Sequence, residues 1–186
     1  MRVTAVVICF LFLLSGCGGD DTNMERALSL RTQIQSSKGC TFHTVISADY
    51  GDEIYVFEMD CQTDADGNMN FKVTEPVSIS GITGTVGNDG GKITFDNQVL
   101  MFQTIADDQI TPVTAPWLLI KTLRSGYIKG CAKVEQGLQI MIDDSYAENP
   151  LHLNIGVGEN NLPVSGEIFW QGRRIMTLSV EEFSFL

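Results

Sequence analysis

The sequence predicts a mainly β (α+β) fold, a strongly curved antiparallel sheet or incomplete β-barrel with two covering helices. Three observations carry this. Apolar and polar residues alternate through most of the chain after Gly39, the period of strands with one buried face. Turn residues recur at short intervals, with 18 glycines against 5 prolines. Only two stretches, Thr22 to Gly39 and Thr111 to Gly126, replace the alternation with helical spacing. Antiparallel strands of this number must curl or close, because a long flat sheet leaves exposed edges.

The chain opens with Met1-Arg2, an apolar run from Val3 to Leu14, and Ser15-Gly16-Cys17. A basic start, a short apolar middle and a small-residue exit form an export signal, too short to span a bilayer as a helix of about twenty residues. Leu14-Ser15-Gly16-Cys17 resembles the lipobox of bacterial lipoproteins. That resemblance implies removal of residues 1–16, diacylglycerol on the Cys17 sulfur and a fatty acyl chain, such as palmitate, on its new amino group. More than one chain holds stably where a single chain binds marginally. The expected location is the cell membrane, lipid-anchored and facing the extracytoplasmic side. Residues 17–22 read as an acylated tether and residues 23–186 as a single β-rich domain.

Thr22 and Glu25 match a capping box, and Met24, Ala27, Leu28, Arg31 and Ile34 follow at helical spacing. Strand spacing then begins. Cys40, Phe42, Thr44, Ile46 and Ala48 alternate with polar residues, as do Tyr55, Phe57, Met59 and Cys61. A turn centred on Tyr50-Gly51 sets Ile46 against Tyr55, Phe42 against Met59, and Cys40 against Cys61. That register predicts a Cys40–Cys61 disulfide, with Cys131 as the rival partner for either thiol. Cys9 leaves with the signal and Cys17 is taken by lipid.

Asp64 to Asn68 reads as a turn, followed by a strand through Met69, Phe71 and Val73. Short glycine-punctuated strands come next, from Ile82 to Val86 and from Lys92 to Phe95. The fuller apolar run Val99-Leu100-Met101-Phe102 predicts a more central strand. Pro112 and Pro116 suit the opening of a second, mostly apolar helix through Trp117, Leu118, Ile120 and Leu123. Five more strands follow, from Tyr127, Leu138, Leu151, Val164 and Ile175, with Gln171-Gly172 as a hairpin turn.

The formal charge of −11 at pH 7 excludes nucleic acid as an electrostatic partner, and removal of Arg2 makes the mature chain more negative still. A catalytic set is missing. The two histidines, His43 and His152, sit on polar strand faces, with His43 beside Glu58 in the expected register. No G-x-S-x-G or zinc spacing accompanies them. The Asp64–Asn68 run fails as a calcium loop, because Gln62 and Val73 stand where charged ligands belong. Neighbours within the pairs Asp143-Asp144 and Glu181-Glu182 point to opposite strand faces and do not converge. The reading is therefore non-enzymatic, with no cofactor and no metal.

The order of elements resembles the LolA/LolB/LppX lipoprotein-carrier superfamily. The likeness is carried by Ser47-Ala48-Asp49-Tyr50 leading into Ile54-Tyr55-Val56-Phe57, by the helix from Thr111-Pro112 to Leu123, and by Leu162-Pro163 through Ile168-Phe169-Trp170 to Phe183. It implies an incomplete barrel enclosing an apolar groove for acyl chains or for another protein's lipid. On this chain Phe42, Tyr55, Phe57, Met59, Trp117 and Leu118 are the expected lining. The leading expectation is an anchored protein binding a lipid or lipid-modified protein there. The alternative is an interaction module that recruits or stabilises an envelope protein. An apolar cavity between sheet and second helix favours the first, and a close-packed interior favours the second.

Overall fold

The computed structural model describes residues 19–96, 98–103, 105–106 and 109–186. The signal segment and Cys17 lie outside them. Two helices, α1 (Gly19–Ser36) and α2 (Ala115–Ser125), accompany one large antiparallel sheet. Its strands are β1 (Cys40–Asp49), β2 (Ile54–Thr63), β3 (Met69–Glu75), β4 (Thr83–Gly87), β5 (Gly90–Phe95) and β6 (Gln98–Phe102), then β9 (Tyr127–Val134), β10 (Gly137–Asp143), β11 (His152–Val157), β12 (Pro163–Trp170) and β13 (Arg173–Phe185). The short pair β7 (Ile105–Ala106) and β8 (Gln109–Ile110) stands apart. The order in the sheet is β6-β5-β4-β3-β2-β1-β13-β12-β11-β10-β9, with no pairing between β6 and β9. The predicted curved, unclosed sheet with two helices is the observed one.

Alternation becomes burial directly. Cys40, Phe42, Thr44, Ile46 and Ala48 of β1 are buried, and the residues between them half-exposed. Leu138, Ile140, Ile142, Leu153, Ile155, Ile168, Met176 and Leu178 continue the same inner face. Toward β6 the strands thin into glycine. Phe71 pairs with Gly84 and Phe102 with Gly91. A Cβ at Gly84 would come within 2.6 Å of the Phe71 ring, and one at Gly91 within 2.3 Å of Phe102. Glycine is needed there because each ring lies across the neighbouring backbone. Gln171 (φ 50°) and Gly172 (φ 80°) form the predicted two-residue turn between β12 and β13.

The helices fill the space inside the curve. Ala115 to Ile120, Thr122 and Leu123 of α2 are all buried, so this helix is enclosed on nearly every side. Ala27, Leu30 and Ile34 of α1 are buried, while Leu28 is 46% exposed. Arg31 donates through Nε to the Leu123 carbonyl at 2.8 Å and through NH2 to that of Gly126 at 2.7 Å. It thereby satisfies acceptors at the end of α2 and ties the helices together. Gly19, the first described residue, is already helical, so Thr22 and Glu25 lie within α1, and residues 19–22 are helical where the sequence suggested a tether.

The β1–β2 register corrects the disulfide expectation. Asp49 pairs with Ile54, and the loop between them is closed by the Tyr50 N–H donating to the Glu53 carbonyl at 3.1 Å. The turn is thus two residues longer than the one read from sequence, and every partner shifts by two. Phe42 faces Cys61, and Cys40 falls beside Thr63, donating its N–H to Thr63 Oγ1 at 2.9 Å. A shift of two preserves which face each residue occupies, so the apolar face survives while the cysteines move out of opposition. Cys40, Cys61 and Cys131 are free thiols.

Two measurements check this architecture. Leu118, 1% exposed inside the curve, should cost about 3 kcal/mol when replaced by Ala, read from denaturant unfolding. A change below about 1 kcal/mol would mean that α2 does not fill the interior. Alkylation of the mature protein under denaturing, non-reducing conditions should label Cys40, Cys61 and Cys131 alike; protection of any two would reinstate a bridge.

Candidate functional site

The six residues expected to line a groove divide into two groups. Phe42, Phe57, Met59, Trp117 and Leu118 are between 0 and 7% exposed and belong to one continuous core. Trp117 is fixed further by its Nε1–H donating to the Gly67 carbonyl at 3.0 Å, and Lys121 Nζ lies 4.9 Å from its ring centroid. Gly67 belongs to the Asp64–Asn68 turn, where the Asp64 carboxylate accepts from the Asn68 backbone N–H at 2.9 Å and its side-chain amide at 3.0 Å. These donors hold the Asp64 pKa below the ordinary carboxylate range. The half-calcium loop is therefore a turn that docks Trp117. Tyr55 stands outside the core, 49% exposed at the tip of the first hairpin. Surface cavities of about 300, 420, 500 and 510 Å³ are lined by neither Trp117 nor Leu118, whereas Phe42 borders the 420 Å³ cavity and Tyr55 the 510 Å³ one.

The titratable groups stay dispersed. His43 Nδ1 lies 2.9 Å from Asp60 Oδ1 and its Nε2 lies 3.5 Å from Glu58 Oε2, the two-residue shift having brought Asp60 opposite it. His152 Nδ1 lies 2.8 Å from Asp143 Oδ1, and Lys129 Nζ reaches Asp143 Oδ2 at 3.5 Å. Asp144 instead accepts from the Leu151 N–H at 2.8 Å and closes the β10–β11 connection. Glu182, at φ 53°, sits where β13 bends toward its final residues. Among the described residues neither histidine is hydrogen-bonded to a hydroxyl or thiol, and no three His, Cys, Asp or Glu side chains are grouped to hold a metal ion. Burial pushes the thiols of Cys40, Cys61 and Cys131 up, which keeps them protonated and poor nucleophiles.

What the sequence reading missed is apolar surface at the β6 end of the sheet. Strand β6 is an edge strand, and Val99, Leu100 and Met101 are 61, 66 and 72% exposed. The expected central strand is overturned. Ile54, Tyr55 and Val56 at the start of β2 are also exposed, as are Val77 and Phe95. Natural sheets ordinarily blunt a free edge with Lys or Pro, and Gln98-Val-Leu-Met-Phe102 contains neither. Without a gatekeeper the run carries no sequence signal of an edge, which is why it reads as a central strand.

No family model matches the chain, and no curated protein matches it. Solved structures similar in layout include a LolA superfamily protein from Nitrosomonas europaea (11% identity, 86% of this chain and 93% of that chain, TM-score 0.44). The Mycobacterium tuberculosis lipoprotein LppX is similar at 10% identity over 87% of this chain and 93% of that one, TM-score 0.41. The MucA/MucB complex of Pseudomonas aeruginosa provides another, at 11% identity over 87% and 56%, TM-score 0.40. Likenesses at this level say nothing about what the chain binds. Among the described residues, no helix is long and apolar enough to cross a membrane.

The His43 arrangement yields a pH dependence. The hydrogen bond to Asp60 raises its pKa above the usual value near 6.5; desolvation opposes this, and the charges of Asp60 and Glu58 add to the rise. Because the folded value is the higher one, this stabilisation is complete below about pH 6.5 and is lost as pH rises through the folded pKa. Wild type should therefore exceed His43→Gln in Tm by more at pH 5.5 than at pH 8.5. An equal difference at both would refute the pairing.

Proposed function

We propose that this protein is a non-catalytic extracytoplasmic binding domain, held at the membrane by lipid on Cys17, which engages an envelope protein on its surface and does not carry a free lipid inside. The single observation behind this choice is the burial of α2. Trp117, Leu118, Leu119, Ile120 and Leu123, all between 0 and 3% exposed, occupy the space that an internal ligand would need. A core at ordinary packing density leaves no room for an acyl chain beside them. Apolar surface is instead displayed at the first hairpin tip and at β6, which several strands separate from β11 and β12. Arg26 of α1 donates to the Gly158 carbonyl at 3.1 Å, in the connection between those two strands. An exposed apolar run on an edge strand suits a protein partner.

Native mass spectrometry of the protein extracted from its own membranes should give the mass of the chain acylated at Cys17, with no further lipid retained. A photo-crosslinking residue at Val99 or Met101 in living cells should yield a protein adduct that the same residue at Glu135, in the exposed β9–β10 turn, does not. Stoichiometric retained lipid without a β6 adduct would return the reading to a lipid carrier. An unmodified Cys17 would remove the anchor.

A further inference from the structure

The tip of the first hairpin carries a feature that the core does not explain. Tyr50 is held by its hydroxyl donating to the Ile110 carbonyl at 3.1 Å, and Tyr55 by its hydroxyl donating to the Glu53 carboxylate. With both hydroxyls engaged, the rings are what the two residues offer to an incoming group. Their centroids lie 5.9 Å apart at an interplanar angle of 67°. Together with Asp52 and Glu53 they line a cavity of about 510 Å³. Aromatic rings turned at an angle beside carboxylates attract a cation through ring quadrupole and charge together.

The local charge is unbalanced. Arg173 is committed to Asp49 at 2.8 Å, whereas Asp52 and Glu53 have no cationic partner among the described residues. An anion is repelled from such a site, and a small divalent ion finds too few converging oxygens. A diffuse organic cation fits both rings and carboxylates. The adjoining backbone identifies its carrier. Pairing of β2 with β3 begins at Glu58 and Glu75, so among the described residues Ile54 to Phe57 has a ladder partner in β1 alone and a free edge on its other side. An extended peptide can add to a free edge by main-chain hydrogen bonds, which a lipid headgroup cannot do.

We infer that an extended segment of a protein partner pairs with the free edge at Ile54–Phe57 and places a lysine or arginine side chain in the pocket formed by Tyr50, Tyr55, Asp52 and Glu53. This rests on the reading of the chain as a protein-binding module. It adds that the partner's docking segment is extended and cationic, in keeping with the acidic surface that receives it.

The test uses the mature protein in maltoside micelles and fluorescein-labelled nonapeptides of alternating Val and Thr, with Lys, Glu or norleucine at the centre. Anisotropy should show the Lys peptide binding at least tenfold tighter than the Glu peptide. That preference should fall below threefold in Tyr55→Leu and in Glu53→Gln, neither of which disturbs a buried residue. Equal binding of all three peptides would overturn the pocket while leaving partner binding intact. Displacement of a bound Lys peptide by millimolar phosphocholine, with no Lys-over-Glu preference, would assign the pocket to a lipid headgroup and overturn it too. Absence of any peptide binding, coupled with retained lipid in native mass spectrometry, would remove both readings.

Discussion

Everything in this structure depends on how α2 is seated. A strongly curved sheet presents a hollow apolar face, and that face must meet apolar matter or water. Here it meets two helices, of which the short α2 has side chains buried almost all the way round. The seat is fixed at several points: Trp117 by the Gly67 carbonyl, the last turn by Arg31 of α1, and Arg124 by the Ala65 carbonyl. Each contact removes freedom that the helix would need in order to swing out and admit a ligand. Packing separates two uses of one architecture, a container and a platform, and the filled interior is what the proposed surface-binding role rests on.

The same packing explains where apolar surface was left over. Inside the curve, α1 packs against β9 and α2 against β10, β11 and β13. Beyond β4 the helices no longer reach, and Phe95, Val99, Leu100 and Met101 meet solvent on strands that taper to the sheet edge. Glycines at positions 84 and 91, roofed by Phe71 and Phe102, let this end remain thin. A thin, uncharged edge is a poor way to finish a solitary domain and a reasonable way to begin an interface.

Much of this was legible beforehand, and the failures have specific causes. Alternation marked β1, β2, β3 and β11 because each has one buried face, and prolines marked the start of α2. The β1–β2 register slipped by two because Tyr50-Gly51-Asp52-Glu53 supports either a tight turn or a longer one, and apolar facing is identical in both. The cysteine pairing fell with it. The Val99–Phe102 run misled because continuous apolarity reports that a strand lacks polar faces, not which neighbours cover it. Tyr55 was assigned to the interior on parity alone. Its exposure depends on how far the hairpin overshoots its neighbours, a tertiary fact that no local pattern contains.

Strand β13 pairs with β1 on one side and β12 on the other, with Cys40 opposite Phe185. The middle of the sheet is therefore joined by residues from the two extremes of the domain. The first hairpins can form early as local structure, yet they gain their second flank only when the last strand is available. Such long-range closure makes assembly slow and cooperative. A chain that ended before Arg173 would lack β13 and with it the seam that joins the two halves of the sheet.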